Sequence, residues 1–127
     1  MTYELYIGDR TFSSWSLRGW LMLEKFGLPY KTTMVGLYAG TMAADMAHLS
    51  TAKTVPAMVT PSGGLLTDSI AMAETLHEEN PTAGLYPTDP AARAMARSLV
   101  AEMHGSFGAL RGDCPHNMEH TLSLIHI

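Results

Sequence analysis

The chain has 127 residues, 46% of them apolar and 16% charged, and its 12 acidic and 8 basic side chains give a formal net charge of −4. One packed core suits this length, since single domains run to about 100–150 residues, and the apolar content excludes a disordered acidic chain. Eight scattered cations disfavour a nucleic-acid partner, and no window of about 18 apolar residues or basic-then-apolar start exists, so no membrane partner or signal peptide is expected.

Residues 3–8 read as a strand. Ser16 to Phe26 reads as a helix that turns Leu17, Trp20, Leu21 and Leu23 toward a core and is stopped by Gly27 and Pro29. A second strand from Tyr30 to Val35 completes a βαβ unit, whose strands pair in parallel. Thr41 to Leu49, between Gly40 and Ser50, has the composition of a short helix. Val55-Pro56 opens the next strand, where the missing proline N–H is harmless and a cis bond, costing only about 0.5–1 kcal/mol, is suitable. Pro61-Ser62-Gly63-Gly64 turns the chain back, so 57–61 and 64–67 form an antiparallel pair. Asp68 and Ser69 then start a helix to Glu79 that covers the pair, with Ile70, Ala73, Leu76 and His77 at helical spacing. The order βαβαββα is that of a thioredoxin-like α/β fold and occupies residues 1–80.

Residues 81–87 have the composition of a linker, with prolines at 81 and 87 and a glycine at 84. Thr88-Asp89-Pro90 restarts a helix, and Ala92, Met95, Leu99, Met103, Phe107 and Leu110 recur at three- and four-residue steps until Gly112, a stripe expected to be core or domain interface. The run Thr121-Leu-Ser-Leu-Ile-His-Ile127 matches nothing expected there. Residues 121–127 are therefore expected to be a non-native tail, of the kind produced when a reading frame enters adapter or vector sequence.

The stretch Lys53-Thr-Val-Pro-Ala-Met-Val-Thr-Pro-Ser-Gly-Gly-Leu-Leu-Thr-Asp-Ser69 joins a Val-Pro step, a hairpin and an Asp-Ser pair. It resembles the glutathione-binding half of the glutathione transferase superfamily, in which the residue before a cis-proline and an acidic-Ser or Gln-Ser pair grip the peptide. Upstream, Tyr3-Glu-Leu-Tyr-Ile-Gly8 matches the first strand, and Ser13-Ser14-Trp15-Ser16-Leu17-Arg18-Gly19-Trp20-Leu21 matches the loop and first helix. This second motif is similar to serine-type bacterial and zeta-like members rather than to tyrosine-type ones. The resemblance covers residues 3 to 118 and is strongest over the first 80. It implies a thioredoxin-like domain followed by a longer all-α C-terminal domain, of which residues 88–120 are the first helix, so a truncated chain is expected. It also implies a cytoplasmic homodimer that uses glutathione as substrate or cofactor, without a metal, to conjugate an electrophilic small molecule. The alternatives are a glutathione-dependent cis–trans isomerisation, as in maleylacetoacetate isomerases, and a non-catalytic module that binds glutathione or a protein.

Within that resemblance Val55, held before Pro56, pairs by its backbone with the cysteinyl part of glutathione. Asp68 takes the γ-glutamyl ammonium, and Ser69 with the helix N–H groups takes the carboxylate. Lys53 meets the glycyl carboxylate or is a solvated loop lysine. Arg18 is expected to brace the domain by an ion pair. A thiol with pKa near 8.5 needs a shift of about 1.5 units, roughly 2 kcal/mol, to be half ionised at neutral pH. One hydroxyl bond to the thiolate, at about 1.5–3 kcal/mol, plus about 0.3–1 kcal/mol from a helix N-terminus suffices. Aligning Arg18 with the helix arginine of zeta-like and tau-like members puts Thr11 on the catalytic position and Ser13 on a nearby one. The order of candidates is Ser13, Ser14, Thr11. Without the resemblance, the same residues read as helix caps.

Several chemistries are excluded. The loop before the first helix has serines where thioredoxin chemistry needs C-x-x-C, and the chain has no G-x-G-x-x-G or G-x-x-x-x-G-K-[ST] loop. The single cysteine, Cys114, excludes an internal disulfide, and Cys114-Pro-His116 with His120 lacks the second cysteine of a zinc site. The ten methionines and two tryptophans read as packing. Apolar surface left bare by a missing helical domain is expected to make the chain poorly soluble or dimeric.

Overall fold

The computed structural model describes residues 2–36 and 40–118. His120 and the expected tail at 121–127 lie outside the described residues. The central strand β1 (Tyr3–Ile7) pairs in parallel with β2 (Tyr30–Met34), Tyr3 facing Tyr30 and Ile7 facing Met34. On its other side β1 pairs antiparallel with β3 (Ala57–Val59), which pairs with β4 (Leu65–Leu66), giving the order β2-β1-β3-β4. This is the expected thioredoxin-like sheet. β3 is shorter than 57–61 because Thr60 already belongs to the turn: its N–H bonds Gly64 O at 2.8 Å and its hydroxyl accepts from Gly64 N at 2.9 Å.

Alternation along β1 puts cores on both faces of the sheet. Tyr3, Leu5 and Ile7 pack with Met58 and with Leu23, Met72 and Leu76, while Tyr6 joins Val35, Met46, Leu49, Ala52 and Ala57 on the other side. Leu5, Ile7, Leu23, Met58, Met72 and Leu76 are fully buried. Each such side chain contributes about 1.5–3 kcal/mol by burial.

Helix α1 (Ser14–Glu24) begins two residues before the expected start, because Ser13 caps it. It buries Ser16, Gly19 and Leu23, whereas Leu21 is 44% exposed and so is not a core residue. The sheet side of α1 is made of small residues: a Cβ at Gly19 would lie 2.9 Å from Cβ of Pro56. Gly27, at φ +66°, ends the helix as its sequence suggests, and Leu28 N–H returns to Leu23 O at 3.0 Å. The expected helix over 41–49 is two turns, α2 (Met42–Asp45) and a 3₁₀ turn at Ala47–Leu49. Asp45 explains its shortness by bonding outward, to Gly36 N and Thr41 Oγ1 at 2.9 Å each, instead of extending the helix.

Helix α3 (Ser69–Glu79) has the expected bounds and lays Met72 and Leu76 on the sheet; Ile70, Ala73 and His77 are half-buried at its flanks. The Tyr3 hydroxyl fastens its end to β1, donating to Glu79 Oε1 at 2.8 Å and accepting from Asn80 Nδ2 at 3.0 Å. Burial is the main cause of the raised pKa of this phenol. Residues 80–87 hold no helix or strand, and α4 (Pro90–Gly105) starts behind an Asp89 cap that accepts from Ala92 N at 2.9 Å. Arg97 of α4 grips Glu74 of α3 with two bonds of 2.8 and 2.9 Å, and its guanidinium lies 4.9 Å from the centre of the Tyr86 ring.

The stripe read to Gly112 is broken. Phe107 has a left-handed backbone (φ +64°), α4 stops at Gly105, and a short α5 (Gly108–Asp113) follows. Nor is the stripe core: α4 buries no residue, and Met95, Leu99 and Leu110 are 66%, 59% and 62% exposed. Among the described residues no helix is long and apolar enough to cross a membrane.

Candidate functional site

The Val55–Pro56 peptide bond is cis. The strand it opens and the start of α3 frame a cleft of about 260 Å³, lined by Trp15, Thr54, Val55, Pro56, Thr67, Asp68, Ser69 and His104. Four predicted site residues therefore meet here: Val55, Pro56, Asp68 and Ser69. Asp68 is the N-cap of α3, its Oδ1 accepting from Ile70 N at 2.8 Å. Its second partner comes from α4, where His104 Nε2 lies 2.9 Å from Oδ2 and 3.1 Å from Oδ1. Partial burial raises the Asp68 pKa, but the Ile70 N–H and His104 outweigh it and hold the carboxyl below its ordinary range. Ser69 is buried behind the cap. Lys53 is elsewhere, lining a separate cleft of about 250 Å³ with Met42, Met46 and Ser50.

Ser13 and Ser14 border a second cleft, of about 540 Å³, together with Phe12, Arg18, Met103, Arg111 and Cys114. Trp15 lines both clefts and so stands between them. The Ser13 hydroxyl accepts from Ser16 N at 3.3 Å and donates to Ser16 Oγ at 2.9 Å, and Ser16 Oγ in turn accepts from Gly8 N at 2.9 Å. This chain of bonds winds loop 8–13 onto the positive end of α1. Since Ser16 is wholly buried, Ser16→Ala is expected to leave the Gly8 N–H unpaired and to cost about 1–3 kcal/mol, readable as a lowered midpoint in urea unfolding. A loss no larger than an exposed serine gives would refute the role of this bond. Thr11 is held by its backbone, its N–H on Asp9 Oδ1 at 2.8 Å and its carbonyl on Met118 N at 3.0 Å.

Trp15, expected only to pack, is a hub of charged and aromatic side chains. Arg18 and Arg111 place their guanidiniums 4.0 and 4.5 Å from its ring centre, and His104 meets it edge-on at 5.0 Å. Arg18 thus braces α1 by stacking on an aromatic ring; the ion pairs among the described residues are Arg97–Glu74 and His104–Asp68. Burial first, and the neighbouring Arg111 second, lower the Arg18 pKa. His104 and Arg111 had no local signal, because their partners are far away in sequence. A third, apolar groove of about 340 Å³ runs between α1, α3 and α4 past Leu21, Phe26, Tyr86, Val100 and Met103. Among the described residues no three His, Cys, Asp or Glu side chains group as a metal site, and His116 donates to Arg10 O at 2.7 Å.

The chain is 35% identical over 95 residues to a probable maleylacetoacetate isomerase of Caenorhabditis elegans, a match covering 75% of this chain and 43% of that protein. A glutathione transferase homologue from Burkholderia, solved with bound glutathione, is 27% identical with a TM-score of 0.70, covering 88% of this chain and 58% of that one. A diazinon-metabolizing glutathione S-transferase of the silkworm Bombyx mori is 25% identical with a TM-score of 0.74, covering 90% and 56%. The chain thus spans about half the length of these relatives. The family model for the glutathione S-transferase N-terminal domain matches residues 12–79, from the loop before α1 to the end of α3. With more than half of its length matched, the chain belongs to the glutathione S-transferase family.

Proposed function

We propose that the chain is the glutathione-binding part of a glutathione transferase, holding glutathione in the first cleft and presenting its thiol to an electrophile in the second. The observation that carries this reading is the meeting of Val55, Pro56, Asp68 and Ser69 in one cleft at the start of α3. An extended peptide there pairs with the Val55 backbone, its ammonium meets Asp68, and its γ-glutamyl carboxylate meets Ser69 and the opening N–H groups of α3. The glutathione bound to the Burkholderia homologue supports the ligand. Lys53, in another cleft, has no part in this assignment.

Ser13 remains the first candidate for thiol activation, ahead of Ser14 and Thr11. Its acceptor duty to Ser16 N leaves the hydroxyl proton free to swing from Ser16 Oγ to a thiolate. The cap and the activator are then compatible. Ser13→Ala is expected to lower conjugation of glutathione to an activated aryl halide about 10- to 100-fold, the equivalent of one charged hydrogen bond of about 1.5–3 kcal/mol. Calorimetry with glutathione on the same variant should give nearly unchanged binding. Unchanged turnover would exclude Ser13, and glutathione binding without turnover in the unmutated full-length protein would favour the binding module.

The isomerase reading is the second, favoured by Arg18 and Arg111, which give the second cleft two cations suited to a carboxylate-bearing substrate. We place the full-length protein in the cytoplasm as a homodimer, in keeping with its family and with the single cysteine of this chain.

A further inference from the structure

We propose that His104 is the positioning residue for the carboxylate that takes the ligand ammonium, and that its protonation makes glutathione affinity fall at low pH. The inference rests on the glutathione reading above and adds to it a control that α4 exerts on the first cleft. Asp68 is held from two sides, by the Ile70 N–H of its own helix and by His104 Nε2 across the cleft. A carboxylate accepts only, so Nε2 carries a proton in this contact whether the ring is neutral or charged. The contact therefore survives titration, and only its charge changes. A neutral ring orients Asp68 and leaves its full charge for an ammonium. An imidazolium neutralises it and competes for the same oxygens.

The groups around His104 isolate this effect. From α3 it faces Asp68 and Ser69; from α1, the Trp15 ring in a T-shaped contact, with Arg18 on the same indole; from α5, Arg111 on that indole. Asp68 is the sole acid of this set. The arginines keep their charge at every relevant pH, and Asp68, held below its ordinary range, stays ionised as the pH falls through the histidine range. Histidine is the side-chain type whose charge changes between about pH 5 and 8, and His104 is the histidine of this set. By linkage, a ligand whose affinity drops when a proton binds must expel that proton when it binds.

The test is calorimetry at about pH 8 and about pH 5.5 with glutathione and with N-glutaryl-cysteinylglycine, its analogue without the ammonium. For the unmutated chain, the Kd of glutathione should rise about fivefold or more toward the lower pH, and that of the analogue less than about twofold. His104→Gln keeps an N–H donor without a titratable charge and should flatten the glutathione profile to less than about twofold. His104→Ala should bind more weakly than His104→Gln at the higher pH, because Asp68 loses its prop. The same slope in the unmutated and His104→Gln proteins, or an equal slope for the analogue, overturns the inference while leaving the glutathione reading intact. A folded protein that binds glutathione at neither pH overturns both.

Discussion

Asp68→Ala should weaken glutathione binding and soften the fold, and Asp68→Asn should separate the two losses. The carboxylate is proposed to meet an ammonium, a charge-assisted contact of about 1.5–3 kcal/mol, so either change should weaken binding about 10- to 100-fold. Its second duty is local. Asp68 Oδ1 caps α3 through Ile70 N, and loss of such a cap costs about 0.5–2 kcal/mol, or roughly 4–8 °C in Tm per kcal/mol for a domain of this size. Asn is as good a cap as Asp. The alanine variant should therefore lose both affinity and Tm, whereas the asparagine variant should lose affinity alone. Calorimetry and thermal unfolding on the two variants check this, and an asparagine variant that binds as tightly as the parent would remove Asp68 from the site.

A comparable effect on stability is expected at Gly19. A Cβ there would stand 2.9 Å from Cβ and 3.1 Å from Cγ of Pro56, and 3.6 Å from Cδ1 of Leu5. A proline ring cannot rotate away, so α1 must lift from the sheet. Overpacking of this sort costs about 1–3 kcal/mol, and Gly19→Val, with its branch against the ring, should lie at the upper end. Even Gly19→Ala should destabilise, although in an open helix it would gain about 1 kcal/mol of propensity. Gly105, in the last turn of α4, has nothing within 4 Å of its Cβ position and provides the control. Gly105→Ala should be neutral or mildly stabilising. Equal shifts of the urea midpoint at the two positions would show that the close approach of α1 to Pro56 is not what Gly19 provides. Because Pro56 also lines the first cleft, glutathione affinity should drop together with stability at Gly19 and stay unchanged at Gly105.

Gly19 also shows why the core face of α1 was hard to read. Sequence periodicity looks for large apolar residues, and it finds Leu23 and Trp20, which do reach the core, but also Leu21, which is exposed. Where a helix rests close against a backbone, small residues face inward, and here Ser16 and Gly19 do so. The α3 segment was legible for the opposite reason: its cap bonds Ile70 N and its last turn is closed by Asn80 on Leu76 O, partners within four positions, and the distant Tyr3 only adds to that end. The hairpin behaved likewise, its Thr60–Gly64 bonds being local. The break at Phe107 was hidden, since a left-handed aromatic residue lies between glycines 105 and 108 and continues the apolar step of the stripe. The site divides in the same way. Val55, Pro56, Asp68 and Ser69 lie within fifteen residues of one another, and their shared cleft follows from one hairpin. Lys53 is just two residues before Val55, yet it lines the cleft beside α2. His104 reaches Asp68 from 36 residues away, and only the packing of α4 across the start of α3 reveals it.

That packing gives the molecule two borders that do not coincide. The sheet and the helices that cover it are complete by Glu79, and composition places a seam just beyond, in residues 81–87. The cleft walls do not stop there: His104 walls the first cleft, Met103 the second, and both the apolar groove. A recombination joint in the seam would transplant an intact folding unit with these three pockets each missing a side, while the cleft beside α2 stayed whole. Exchange of α4 alone would instead alter one wall of all three in one step and leave the sheet beneath them untouched.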